Sequence, residues 1–197
     1  MLSLPRDNFR SLGALACFVL TVGVGLGLDL WTKAYAFERL AVYGRGAAVV
    51  ESRVYPLAPG WLEFTVTTNQ GAVFGLGAGQ RMLFVSVSLA AILFLVYLFA
   101  NSGRQRFYQV ILGMLLAGVL GNLYDRVVFG YVRDMIHALP RWPRLFPWIF
   151  NVADVLLCTG VGLMVLYSLL HSGKEPRNVG AEGNKPQMGR EDVKRGT

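Results

Sequence analysis

The sequence predicts a membrane protein of the all-α class, with four transmembrane helices and a small β element outside the bilayer. Three observations carry this. First, 54% of the 197 residues are hydrophobic and only 16% are charged, with a mean hydropathy of +0.45; a soluble domain has about 45–50% apolar and about 25% charged residues. Second, uncharged apolar runs recur at 11–28, 82–103 and 107–124, with a fourth apolar run over 151–171, and each approaches the roughly 20 residues a spanning helix needs. Third, the stretch between the first two runs alternates apolar and polar residues, which is the period of a strand. The net charge of +7 is accounted for by basic residues flanking spans; no nucleic-acid partner is expected.

The first span is expected at about 12–28. Arg6 and Arg10 in front of it resemble the start of a signal peptide, but only six residues separate Arg10 from Cys17, too few for an apolar core of about 7–15. The run also continues past the cysteine to Leu28. It ends on Asp29-Leu-Trp-Thr-Lys33. Leu62, Phe64 and Val66 then alternate with Glu63, Thr65 and Thr67, and Val-rich residues 47–55 are the expected partner strand, with Ala58-Pro-Gly60 as the turn. This β element is expected over about 44–70. A loop from Asn69 follows, with four glycines in 71–79, suited to close backbone approach. The second span is expected at about 82–102 and the third at about 107–124. Residues 127–149, with three prolines, read as a loop, and the fourth span as about 151–171. Residues 1–171 thus form one membrane domain, and 172–197 a polar, basic tail expected to be disordered. The two cysteines, Cys17 and Cys158, lie in apolar runs and read as small hydrophobes. The two histidines share no metal-like spacing, and neither a metal nor a cofactor is expected.

Four spans place both termini on one side. Lys and Arg divide almost evenly between the sides, so the short segments decide: Arg6, Arg10, Arg104 and Arg106 favour a cytoplasmic location for the termini. All four tryptophans, Trp31, Trp61, Trp142 and Trp148, fall on the opposite side.

Several polar residues at span ends each have a plain local reading. Asn122, Asp125 and Arg126 share one helix face, where Asp125 with Arg126 reads as an ion pair anchoring a helix end, and Gly118 and Gly121 allow close packing. Asn151 reads as an N-cap and Asp154 as an acid meeting the positive end of the helix dipole. Asp134 reads as a loop charge beside Arg133. Asp29 and Lys33 read as a surface ion pair of little energetic value, and Asn69 as a turn residue. Yet the topology brings the ends of spans one, three and four, the glycine loop and Asp134 to one membrane face. Carboxylates at membrane depth are costly and mark functional sites. Two of them together suggest hydrolysis by water: one ionised aspartate takes a proton from water while the other, protonated, polarises a carbonyl. A transporter with proton-relaying acids is the alternative class, but the acids lie at span ends and no internal repeat is visible. A structural subunit with helix-capping acids is the third. Neither Gly-x-Ser-Gly nor Gly-x-Gly-Asp, marks of a serine and an aspartyl type of intramembrane peptidase, occurs.

Asp29-x-x-x-Lys33, Asn69-x-Gly-Ala-x-Phe74, Gly121-Asn-x-x-Asp-Arg126, Val132-x-Asp134 and Phe150-Asn-x-Ala-Asp154 occur in that order. Together they resemble the motifs of lipoprotein signal peptidase, or signal peptidase II, over about residues 12–170. The resemblance implies a bacterial inner-membrane aspartyl peptidase with an extracytoplasmic β cradle and a periplasmic loop. It implies cleavage of diacylglyceryl-modified prolipoproteins just before the lipidated cysteine. It matches Asp134 and Asp154 to the catalytic pair. Asn69, Asn122, Arg126 and Asn151 match polar positions lining the site, and Asp29, Lys33 and Asp125 supporting ones; the loop carrying Gly71 matches the part that faces substrate. The implied partners are a lipidated prolipoprotein and membrane phospholipid, with a monomeric enzyme expected. Val73, Gly75 and Met135 depart from the pattern, as does Arg133, a cation expected to depress the pKa of Asp134 unless it points away.

Overall fold

The structure, a computed structural model, describes residues 11–44, 49–71, 80–103 and 105–171. The expectations for Arg6, Arg10 and Arg104, for the glycine loop beyond Gly71 and for the tail lie outside these residues.

Among the described residues, four helices are long and apolar enough to cross a membrane: α1 (Leu12–Leu40), α2 (Arg81–Ala100), α3 (Arg106–Val128) and α4 (Val152–His171). Ser11 caps α1, accepting from the Ala14 N–H. At 29 residues and 1.5 Å per residue, α1 is about 44 Å long, against about 30 Å of hydrocarbon. It therefore continues well beyond the uncharged run that ends at Leu28, and its last turns carry Asp29, Lys33 and Phe37 into the β element. α3 is the central helix. In its apolar window 56% of the residues are buried in the protein, against 22%, 11% and 11% for α1, α2 and α4. Outward residues such as Leu20, Val24, Leu93, Phe94, Val165 and Leu169 are exposed, the solution expected where the solvent is lipid. Phe18, Leu95, Phe99, Ile111, Leu112 and Leu115 form the bundle core, with the Phe18 and Phe99 rings stacked 4.1 Å apart.

Small residues set how closely the helices approach. A Cβ on Gly118 would sit 2.7 Å from the Ala153 carbonyl oxygen, and one on Gly25 2.8 Å from Ala117 Cβ. The expected role of Gly118 and Gly121 in close helix packing is the geometry found, with α4 against Gly118 and both α1 and α4 against Gly121.

The β element comprises two antiparallel sheets at one end of the bundle. β1 (Ala41–Tyr43) pairs with β2 (Val49–Ser52). The second sheet has the order β3 (Tyr55–Ala58), β4 (Leu62–Asn69), β5 (Val132–Ala138), β6 (Ile149–Phe150). Two expectations are corrected here. The partner of β4 across the Pro59-Gly60 turn is 55–58, not the whole of 47–55: a tight turn with Gly60 at φ +78° leaves only the residues next to it in register, and Val49–Ser52 pairs with β1 instead. Residues 127–149 are also not all loop. The prolines are confined to 140–147, and Val132–Ala138 forms the strand beside β4. Its first four residues are buried on both faces, so the segment has no apolar–polar alternation to read. Ala36, Phe37, Val66 and Met135 form the small core that fixes these strands to the end of α1.

Candidate active site

β5 delivers Asp134 to the end of the bundle. Asp134 pairs in register with Thr67, and Asn69 with Val132. Side chains alternate along a strand, so Asn69 and Asp134 share a face as diagonal neighbours. Asn69 Nδ2 donates to Asp134 Oδ2 at 3.2 Å. Asp134 is 2% exposed, not a surface charge.

α4 delivers Asp154 in its first turn. Asn151 precedes the helix and accepts at Oδ1 from the Asp154 N–H at 2.9 Å, while Asp154 Oδ2 accepts from the Asn151 N–H at 3.2 Å. This is the reciprocal capping geometry, so the capping reading of the sequence holds. It is also not the whole role of Asn151, because its Nδ2 donates to Asp134 Oδ1 at 2.6 Å. One side chain thus bridges the two aspartates.

α3 completes the far side. Asn122 Nδ2 donates to Asp154 Oδ1 at 2.9 Å. Arg126 donates to the Gly71 carbonyl at 3.0 Å and to the Asn122 carbonyl at 3.3 Å, with its guanidinium 5.0 Å from the Phe84 ring. Each carboxylate thereby has polar partners from two different segments, and Gly71 is fixed against α3.

Behind this pair lies a fully buried charge network. Lys33 Nζ is 2.8 Å from Asp29 Oδ2, 3.2 Å from Asp125 Oδ2 and 3.0 Å from Asn122 Oδ1, with Lys33, Asp29 and Asp125 all at 0% exposure. The Asp29–Lys33 pair is therefore not the solvated ion pair its i,i+4 spacing suggests. Asp29 Oδ1 also accepts from the Ala153 N–H at 2.8 Å, tying α1 to the start of α4.

The expected Asp125–Arg126 ion pair is replaced. Asp125 binds Arg133, through Nε at 3.0 Å and Nη2 at 2.8 Å to Oδ1 and through the Arg133 backbone N–H at 2.9 Å to Oδ2. The physical reason is strand alternation: Arg133 and Asp134 point to opposite faces of β5, so Arg133 turns back onto α3 and Arg126 is left to line the cavity. Arg133 thus points away from its neighbour.

The electrostatics of Asp134 follow from this placement. Burial, and then the negative charge of Asp154, push its carboxyl up to about 7; the bonds from Asn151 and Asn69, and the Lys33 charge, work in the other direction. A carboxyl that keeps its proton to near neutral pH is able to serve as an acid.

A cavity of about 630 Å³ opens from the two aspartates, within the roughly 300–1,000 Å³ of ligand pockets. Its polar end holds Asn69, Asn122, Arg126, Asp134 and Asp154. Its walls come from α2 (Val87, Ser88, Ala91), from α4 (Val155, Cys158, Thr159) and from Phe146, Trp148 and Phe150. In sequence, Phe150 belongs to the Phe150-Asn-x-Ala-Asp154 motif, while Trp148 reads only as a tryptophan outside the spans and Cys158 as a small hydrophobe. Val155 and Cys158 lie one and four residues beyond Asp154 on the same helix, a spacing that points to the site; Val87, Ser88 and Ala91 sit inside an uncharged span with nothing to set them apart.

A family model described as "Signal peptidase (SPase) II" matches residues 21–170. The chain is 30% identical over 162 residues to a lipoprotein signal peptidase of Clostridium tetani (strain Massachusetts / E88), covering 82% of this chain and 97% of that one. It is 32% identical over 208 residues to a lipoprotein signal peptidase of Anaeromyxobacter sp. (strain Fw109-5), covering 90% and 93%. A solved structure described as a bacterial membrane enzyme, determined by the in meso method at 2.3 Å resolution, superposes with a TM-score of 0.68 at 30% identity, over 83% of this chain and 94% of that one. The family model and the relatives cover nearly the same span of the chain as the four helices and the β element, and the chain belongs to the signal peptidase II family, proteases of the bacterial inner membrane.

Proposed function

We propose that the chain is an aspartyl endopeptidase that removes the signal peptide from diacylglyceryl-modified prolipoproteins, cutting before the lipidated cysteine. The observation that carries this reading is the Asn151 bridge: its side chain holds Asp134 at 2.6 Å and accepts from Asp154 at 2.9 Å, with both aspartates at the polar end of a cavity whose walls are largely apolar.

Asp134 carries the proton of the pair and Asp154 is the carboxylate. The nucleophile is a water taken up between them. Asp154 takes a proton from it as its oxygen forms a bond to the scissile carbonyl carbon, and Asp134 gives its proton to the carbonyl oxygen. The resulting gem-diol collapses: a hydroxyl proton returns to Asp134, the C–N bond breaks, and Asp154 delivers its proton to the departing amine. Each carboxyl ends in its starting state. The Asn69, Asn122 and Asn151 amides orient the pair without adding charge, and Asp29, Lys33 and Asp125 hold the helices behind it. The apolar walls accept the signal-peptide segment and exclude bulk water, which strengthens the electrostatics inside. Residues 1–171 make up the working unit, a monomer with both termini cytoplasmic and the aspartates near the extracytoplasmic face, in contact with phospholipid.

The test is a gel-shift assay on a diacylated precursor. Asp134→Asn and Asp154→Asn are expected to insert normally and to leave the precursor uncut, and an unlipidated precursor is expected to remain intact with the native enzyme. Full cleavage by either variant sinks the pair.

A further inference from the structure

We propose that Arg133 is a positioning residue for Asp134, acting through a buried clamp on Asp125; the inference rests on the aspartyl-pair reading above.

Arg133 makes three bonds to one carboxylate. Its Nε and Nη2 reach Asp125 Oδ1 at 3.0 and 2.8 Å, and its backbone N–H reaches Oδ2 at 2.9 Å. A side chain alone would hold only the guanidinium. The added backbone bond holds the strand at residue 133, one peptide unit, about 3.8 Å, from the Asp134 Cα. The guanidinium is enclosed as well as bonded, 4.3 Å from the Phe129 ring centroid and 6.0 Å from that of Phe37. Asp125 is at 0% exposure and sits on the most buried helix, so the anchor is rigid.

The same carboxylate leads to the other aspartate. Asp125 Oδ2 is 3.2 Å from Lys33 Nζ, Lys33 donates to Asn122 at 3.0 Å, and Asn122 donates to Asp154 at 2.9 Å. Asp125 is therefore the common reference for both members of the pair, reached from Asp134 through Arg133 and from Asp154 through Asn122. Charge supports the arrangement. Asp29 and Asp125 face Lys33 and Arg133, two acids against two cations, all buried. An apolar residue at 133 leaves two buried carboxylates sharing one ammonium.

Arg133 acts by placement. The charges that bear on Asp134 are those of Asp154 from α4 and Lys33 from α1, and Arg126 from α3 feels both aspartates of the pair. The Arg133 guanidinium lies on the opposite face of β5.

The experiment measures single-turnover cleavage of a diacylated precursor, with KM from steady state and rates normalised to folded protein. Arg133→Leu is expected to lose roughly 10- to 100-fold in rate, the cost of a misplaced catalytic group, with KM unchanged. Arg133→Lys, which keeps the charge and loses the two-pronged contact, is expected to recover part of that rate. A purely structural role predicts lower thermal stability with a native rate per folded molecule, and that result overturns the proposal. So does a raised KM at native rate, which marks a substrate contact. Should the leucine variant fail to insert, Arg133→Gln is read by the same criterion. An active Asp134→Asn overturns the pair and the positioning role with it; an inactive Asp134→Asn beside a fully active Arg133→Leu overturns the positioning role alone.

Discussion

Asn151 Nδ2 lies 2.6 Å from Asp134 Oδ1 and fixes the direction of a buried carboxyl group. Leaving a buried acceptor without its donor costs about 1–3 kcal/mol. Asn151→Ala is therefore expected to lower kcat by roughly 10- to 100-fold, since 1.4 kcal/mol is about tenfold. The variant also loses the cap on the Asp154 N–H, worth about 1 kcal/mol of stability. Kinetics and thermal unfolding in detergent read the two effects separately. A native kcat with only the stability loss would reduce Asn151 to a helix cap.

The pH dependence follows from Asp134. Its carboxyl is pushed up to about 7, by burial first and by the Asp154 charge second. The mechanism needs its proton, so kcat/KM is expected to fall as pH rises through about 7. The stability sign runs the same way. The folded state holds this proton more tightly than the unfolded chain, whose carboxyl titrates near 3.8. Stability from this group is complete below about 4 and is lost progressively up to about 7. Asp134→Asn is expected to melt higher than the native enzyme at pH 8, with the gap closing at pH 4. A variant less stable than native at pH 8 contradicts the sign.

These two predictions depend on residues the sequence could and could not place. Asn69, Asn122, Asn151 and Asp154 were legible because each terminates a recognisable element, and topology alone put those termini together. Topology brings Asp134 to the same face, but its strand is not legible: a segment buried on both faces shows no alternation, so Val132–Ala138 reads as loop, and only the resemblance pairs Asp134 with Asp154. Partners were least legible. Asp125 next to Arg126 suggests a pair, yet the carboxylate turns to Arg133 on another element, because a helix face and a strand face meet there. The Asp29–Lys33 spacing likewise says nothing of burial, which only the packing of α1, α3 and α4 around it decides.

Lys33 is the single ammonium shared by Asp29 and Asp125 at 2.8 and 3.2 Å, and it also donates to Asn122. Removing one partner of a buried charge set costs about 3–5 kcal/mol because the remaining charges lose compensation. Lys33→Met is expected to accumulate poorly or to melt far below the native protein. Lys33→Met with Asp29→Asn, which removes one charge of each sign, is expected to regain part of the lost stability. Equal stability of the single and double variants would show that Asp29 and Lys33 are not energetically coupled.

Gly121 offers the sharpest contrast between two glycines of similar appearance in sequence. A Cβ there would overlap the Asp29 carboxylate, and would lie 3.3 Å from Ala153 Cβ. The carboxylate has nowhere to go: Oδ1 accepts from the Ala153 N–H at 2.8 Å, and Oδ2 is 2.8 Å from Lys33. Gly23 on α1 has nothing within 4 Å of the corresponding point. Replacing a helical glycine by alanine ordinarily stabilises by up to about 1 kcal/mol, and Gly23→Ala is expected to be neutral or slightly stabilising. At Gly121 the collision, about 1–3 kcal/mol for overpacking, exceeds that gain. Gly121→Ala is therefore expected to melt lower than native. It is also expected to lose activity, since the displaced Asp29 carboxylate carries the Ala153 backbone, and with it the first turn of α4 that holds Asp154. Thermal unfolding and cleavage assays on the two variants side by side check this, and a Gly121→Ala protein as stable and active as Gly23→Ala would show that α1, α3 and α4 do not meet as tightly as the Asp29–Ala153 bond requires.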